Sequence, residues 1–130
     1  MAVQVTTKWL GDMIFESTNP SGHNLFIDAG EENGGKDEGY RPKALMLSGL
    51  AGCSGLDVAA LIKKMKLHVD EFKIETEANL TEVHPKYYDK VAMHFHFYGD
   101  DLNEKKLQKA VDLSIEKYCG VMEMFRQFSE

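Results

Sequence analysis

The chain has 130 residues, 43% hydrophobic and 28% charged, with a net charge of −6 at pH 7 and a pI near 5.3. That length supports one domain, residues 1–130, with a real core, and the acidic balance argues against nucleic-acid binding, which wants a basic stripe. No basic region followed by an apolar run opens the chain, so secretion is not expected. Its two cysteines are expected in a reducing cytoplasm, where a transient catalytic disulfide is favoured over a structural one.

Residues 2–9 alternate and are β-branched enough to predict a strand. Gly11-Asp12 reads as a hairpin turn, residues 13–17 as a second strand, 19–22 as a second turn and 24–28 as a third strand. The opening third is therefore expected to be an antiparallel meander. Residues 29–40 are polar and glycine-rich. Gly34-Gly35-Lys36 lacks the spacing of a phosphate loop, so the segment reads as a flexible lead into the next helix, of the kind that closes over a site.

Residues 41–66 form the centre of the pattern. Pro42 suits the first position of a helix, and Lys63, Lys64 and Lys66 suit its negative end. Between Ala44 and Ile62 only Asp57 is charged, which predicts a helix buried nearly all round. A membrane span is the alternative on length. It is disfavoured by Asp57, which would cost roughly 2.5–3.5 kcal/mol at mid-bilayer, and by the amphipathic segments elsewhere that need this helix as their core. Cys53 lies mid-helix among Gly49, Gly52 and Gly55. Each glycine costs about 1 kcal/mol against alanine in a helix, so the small surface calls for close packing or a hollow beside the sulfur. An inert buried thiol and a redox thiol both fit.

Downstream, Phe72, Ile74, Thr76, Ala78 and Leu80 share one face of a predicted strand. Val91, Met93, Phe95 and Phe97 share one face of another, with His84-Pro85-Lys86 turning the chain between them. His94 and His96 point the same way, but no third metal ligand accompanies them. Zinc is further disfavoured by the lack of any Cys-x-x-Cys; neither a metal nor a cofactor is expected. Asn103 reads as a helix cap with Glu104 in the first turn. Leu107, Ala110, Val111, Ser114 and Ile115 come next at helical spacing, Tyr118-Cys119-Gly120 interrupts, and residues 121–128 read as another helical segment. At the start of that segment Cys119 would have its thiolate stabilised by free amides and the helix dipole.

A thiol pair meeting in an apolar pocket suits reduction of a peroxide. One sulfur becomes a sulfenic acid, the second condenses with it to a disulfide, and an external thiol resets the pair. The run Pro42…Leu45…Gly49-Leu-Ala-Gly-Cys53-Ser-Gly-Leu-Asp57-Val, with Ala110-Val-Asp-Leu-Ser and Tyr118-Cys119-Gly-Val-Met122 downstream, resembles the OsmC/Ohr family. The resemblance implies an α+β, OsmC-like fold in which antiparallel sheets wrap a long buried central helix, assembled as an intertwined homodimer with sites at the subunit interface. It also implies a thiol-dependent peroxidase acting on small organic hydroperoxides, with an external thiol reductant, Cys53 attacking and Cys119 resolving. Two departures stand out. Family enzymes carry an arginine in the N-terminal region, whereas the arginines here are Arg41 and Arg126. They also carry a glutamate just after the helix-opening proline, where this chain has Lys43 and Ala44. Arg41 is the obvious substitute cation, Lys43 is another candidate, and Arg126 could serve only if the last segment folds back. The alternative is a non-catalytic OsmC-like dimer serving in binding or stress response.

Overall fold

The computed structural model describes residues 2–130. The chain divides into two compact units, one ending at Met46 and the other running from Leu47 to Glu130. In the first, β1 (Thr6–Gly11), β2 (Ile14–Thr18) and β3 (Asn24–Ile27) form a three-stranded antiparallel sheet in sequence order. Trp9 pairs with Phe15, and Phe15 with Ile27. The predicted meander is present, each strand starting or ending within a few residues of its predicted bounds.

The loop after β3 is built rather than loose. Asp28, 3% exposed, accepts backbone N–H bonds from Ala29 (2.7 Å), Lys36 (3.2 Å) and Glu38 (3.2 Å). Residues Glu31–Asn33 make one 3-10 turn between these contacts. Gly35 packs so tightly that a Cβ there would lie 2.0 Å from the Ala29 carbonyl oxygen. A carboxylate at the centre of a ring of amides supplies the order that the glycine-rich composition conceals.

Helix α1 (Pro42–Lys64) starts in the first unit and continues through the second. Its predicted burial all round is not what the chain provides. Only Leu50, Ser54 and Val58 are buried, while Met46 and Leu56 are 48% and 75% exposed. The apolar circumference is real, but one chain covers a single face of it. Added Cβ atoms at Gly49 and Gly52 would meet open space, whereas one at Gly55 would lie 3.3 Å from Ile74 Cδ1. Gly55 thus serves the close approach of the helix to its own sheet. By length and mean hydropathy (1.7) α1 is the kind of helix that can cross a membrane, a test that the core helix of a soluble protein also passes.

In the second unit β4 (Glu71–Leu80) and β5 (Tyr88–Tyr98) pair antiparallel. Phe72 and Phe97 are direct partners and stack with ring centroids 5.3 Å apart. The alternation of half-buried and exposed residues along β4 follows the predicted faces. Helix α2 (Glu104–Leu113) is capped by Asn103, whose side chain accepts from the Lys106 amide at 3.1 Å. It runs into a π-helical turn, Ser114–Tyr118, then breaks at Cys119 before α3 (Gly120–Arg126). The core joins Leu50, Tyr88, Cys119 and Phe125, with Leu47, Cys53, Val91, Met93 and Met122 packed against them.

Candidate functional site

Cys53 lies on the inward side of α1, among Leu50, Ser54 and Val58, and is half-buried. Cys119 reaches the same place from the opposite end of the unit. The π-helical turn inserts a residue into the helical ladder, so the Cys119 amide bonds to the Ser114 carbonyl five residues back at 2.9 Å. The chain then opens into an extended residue that caps α3. Turns of this kind recur at functional sites. Arg126 braces the break, its guanidinium donating to the Ile115 carbonyl and pairing with Glu123 at 2.8 Å.

The two sulfurs meet. Among the described residues, Sγ of Cys53, a carboxylate oxygen of Asp57 and Sγ of Cys119 all lie within 4.8 Å of one another, and both cysteines are free thiols. Cys119 is 4% exposed. Its Sγ accepts from the Met122 amide at 3.4 Å, the helix-start contact expected to favour a thiolate. The net effect is the reverse of that expectation. Burial pushes the thiol up to about 11, the neighbouring Cys53 and Asp57 push the same way, and one amide cannot offset them.

A polar network beneath the sulfurs has no counterpart among the sequence-based expectations. Ser114 Oγ lies 2.9 Å from Ser54 Oγ and 3.1 Å from Asp57 Oδ2, and both serine side chains are fully buried. Its signal was present, because Ser54 and Asp57 fall on the same helical face as Leu50 and Val58, and Ser114 on the face of Leu107 and Val111. Polar residues on an inward apolar face imply partners. Asp57, the one charge in the apolar stretch of α1, is thus an anchored acceptor.

The expected helper cation and His96 of the strand pair each have partners of their own. Arg41 Nη1 donates to Asp37 Oδ1 at 2.9 Å and to the Gly39 carbonyl at 3.3 Å, within the first unit. His96 sits 3.6 Å from Glu75, and Lys73 pairs with the same carboxylate at 3.2 Å. A cleft of about 290 Å³, lined by Leu50, Val91, Met93, Ile115, Met122 and Phe125 among others, borders the core cluster that contains Cys119.

The chain as a whole is similar to known proteins. "Protein YhfA" of Escherichia coli strain K12 is 30% identical over 125 residues, 96% of this chain and 90% of its own length. The crystal structure of a hypothetical protein from Aquifex aeolicus VF5 superposes with a TM-score of 0.86 at 29% identity, covering all of this chain and 91% of that one. An organic hydroperoxide resistance protein OsmC from Legionella pneumophila superposes at 0.71 with 19% identity, over 100% and 93% of the two chains, a likeness of fold. The family model described as "OsmC-like protein" matches residues 35–129, a span that holds both cysteines, α1 and the second sheet; the chain belongs to the OsmC-like family.

Proposed function

We propose that this protein is a cytoplasmic thiol-dependent peroxidase that reduces small organic hydroperoxides through Cys53 and Cys119. The observation that carries the reading is the convergence of two free sulfurs, 66 positions apart in sequence, within 4.8 Å of one another, in a core cluster whose Leu50 and Phe125 also line an apolar cleft. Cys53, the more exposed of the two, attacks the O–O bond as thiolate. It becomes the sulfenic acid and releases the alcohol. The Cys119 thiol attacks the sulfenic sulfur, a disulfide forms and water leaves. Two equivalents of an external thiol return the pair to the reduced state by exchange. The raised Cys119 pKa suits this division, since the resolving thiol is held protonated until the sulfenic acid appears. Arg41 would assist electrostatically after rearrangement of its bond to Asp37.

The working form is an intertwined homodimer. Its support is the uncovered apolar surface of a chain that folds as an OsmC-like protein. Met46, Leu56, Gly49 and Gly52 lie on exposed positions of α1, and Trp9, Leu10, Phe15 and Phe26 are exposed in the first unit. Large apolar side chains left exposed in this number mark association sites.

The test is one equivalent of cumene hydroperoxide added to reduced protein, followed by peptide mass spectrometry. A Cys53–Cys119 cross-linked peptide is expected. Cys119→Ser should instead accumulate a trappable sulfenic acid on Cys53, and Cys53→Ser should consume no peroxide. Both thiols recovered free would sink the proposal. A non-catalytic dimer serving in binding or stress response is the second reading. It is favoured by the commitment of Arg41 to Asp37 and Gly39 and by Lys43 and Ala44 standing where family enzymes carry a glutamate. The same experiment separates the two.

A further inference from the structure

The three converging donors suit a second kind of chemistry that needs no peroxide. Cys53 and Asp57 stand four residues apart on one face of α1, the spacing at which helical side chains meet. Cys119 supplies a third donor from the break after the π-helical turn. Two sulfurs held about 2.3 Å from a tetrahedral zinc ion lie about 3.8 Å apart. The three ligand atoms all lie within 4.8 Å of one another, so closure by about an ångström at most brings them to zinc-ligand spacing. The carboxylate is already oriented, because the buried Ser114 hydroxyl donates to Asp57 Oδ2 at 3.1 Å. Such outer hydrogen bonds on a ligating carboxylate are usual at metal sites. Cys53 and Asp57 are only half-buried, which leaves a side from which a water can complete four-coordination.

We propose that the reduced protein binds one zinc ion per chain through Cys53 Sγ, Asp57 and Cys119 Sγ, with water in the fourth position. Two thiolates and a carboxylate select a thiophilic d10 ion over magnesium or calcium, which want oxygen alone. Binding replaces the two S–H protons, so two protons leave for each ion taken up and no electrons move. The absence of a close cysteine pair in sequence, which argued against zinc, has no bearing on ligands assembled across the core.

The test is an anaerobic titration of reduced, full-length protein with Co²⁺ as a spectroscopic stand-in. Because no peroxide is present, its outcome is independent of whether the peroxidase reading holds. Saturation at one ion per chain is expected, with a thiolate-to-cobalt band in the near ultraviolet and tetrahedral d–d bands in the visible, all bleached by stoichiometric Zn²⁺. Cys53→Ser and Cys119→Ser should each lose the near-ultraviolet intensity at matched concentration. Asp57→Asn should keep the two-thiolate band and weaken affinity by about 10–100-fold. A His94→Ala/His96→Ala double variant should titrate as the parent does. Diamide-oxidised wild-type protein should give no band, a result that stands in for either serine variant should it fail to fold. No saturating band at millimolar Co²⁺, a band that survives oxidation or either serine substitution, or an unchanged affinity in Asp57→Asn would each overturn the proposal.

Discussion

The two units of this chain are built to the same alternating pattern and reach different ends. The second encloses Leu50, Val58, Tyr88, Leu107, Ala110, Val111, Cys119 and Phe125. In the first, the buried residues among those described are Asp28 and Gly30, one ringed by amides and the other without a side chain. Trp9, at 62% exposed, and Phe26, at 43%, have the hydrophobic content of core residues and stand open to solvent. An apolar face on a sheet is a demand for a partner surface. The second unit meets the demand within one chain; the first meets it, in our reading, from a second copy.

The comparison can be pressed by truncating one apolar side chain in each unit. Leu50→Ala empties a site that is 1% exposed and should cost about 2–5 kcal/mol by urea unfolding. Phe26→Ala should cost under about 0.5 kcal/mol if the first unit stands uncovered. A much larger cost, rising with protein concentration, is expected if a partner covers it. Next in size, Leu56→Lys places a charge on the exposed side of α1. It should weaken association by about 2 kcal/mol or more, as loss of a central interface anchor does. In sedimentation the species should shift toward the 14.7 kDa monomer, and amide exchange should accelerate through β1–β3. A wild-type protein that sediments as a monomer at every concentration would remove the dimer.

Smaller, and confined to the second unit, Ser114→Ala takes the hydroxyl from between Ser54 and Asp57. Leaving buried polar groups unpaired should cost about 1–3 kcal/mol in thermal unfolding, with no change in association. The last effects separate the units by pH and vanish near neutrality. Burial of the Asp28 carboxyl raises its pKa, but amide bonds from Glu38, Ala29 and Lys36, with the nearby Arg41 charge, outweigh it and hold the value below normal. The stabilisation is therefore present above the unfolded carboxylate value of about 3.9 and is lost as pH falls through the folded one. Amide exchange at Lys36 and Glu38 should quicken in acid, and Asp28→Asn should abolish that pH dependence. Cys119 acts at the other end of the scale. Its folded value of about 11 exceeds the unfolded thiol value of about 8.5, so the native state holds the extra proton between them. Stability should fall as pH rises across that window, and Cys119→Ser should flatten the slope.

Local chemistry was legible wherever a residue's role depends on its neighbours along the chain. Pro42 and the lysines ending at Lys64 bracket α1, Asn103 caps α2, and the β4–β5 faces follow the alternation of Phe72 to Ala78 against Glu71 to Glu77. The two cysteine blocks were enough to suggest the family. The π-helical turn was visible only as an interruption at Tyr118-Cys119-Gly120, because nothing in composition tells a π-helical insertion from a plain break. The order in the loop around Asp28 was hidden for a similar reason. Its organising bonds run from a side chain to amides eight and ten residues away.

By itself the sequence determined the elements, their faces and the presence of two thiols beside small residues, since propensity, capping and periodicity act over a few positions. Only the tertiary structure decided that Cys53, Asp57 and Cys119 share one place, that Ser114 holds the carboxylate, and that Cys119 is driven toward its protonated form. It also decided that α1, apolar on every side, is covered on just one of them by its own chain. Each of those facts depends on which surfaces exclude water from which, and desolvation is a property of the packed molecule rather than of any stretch of it.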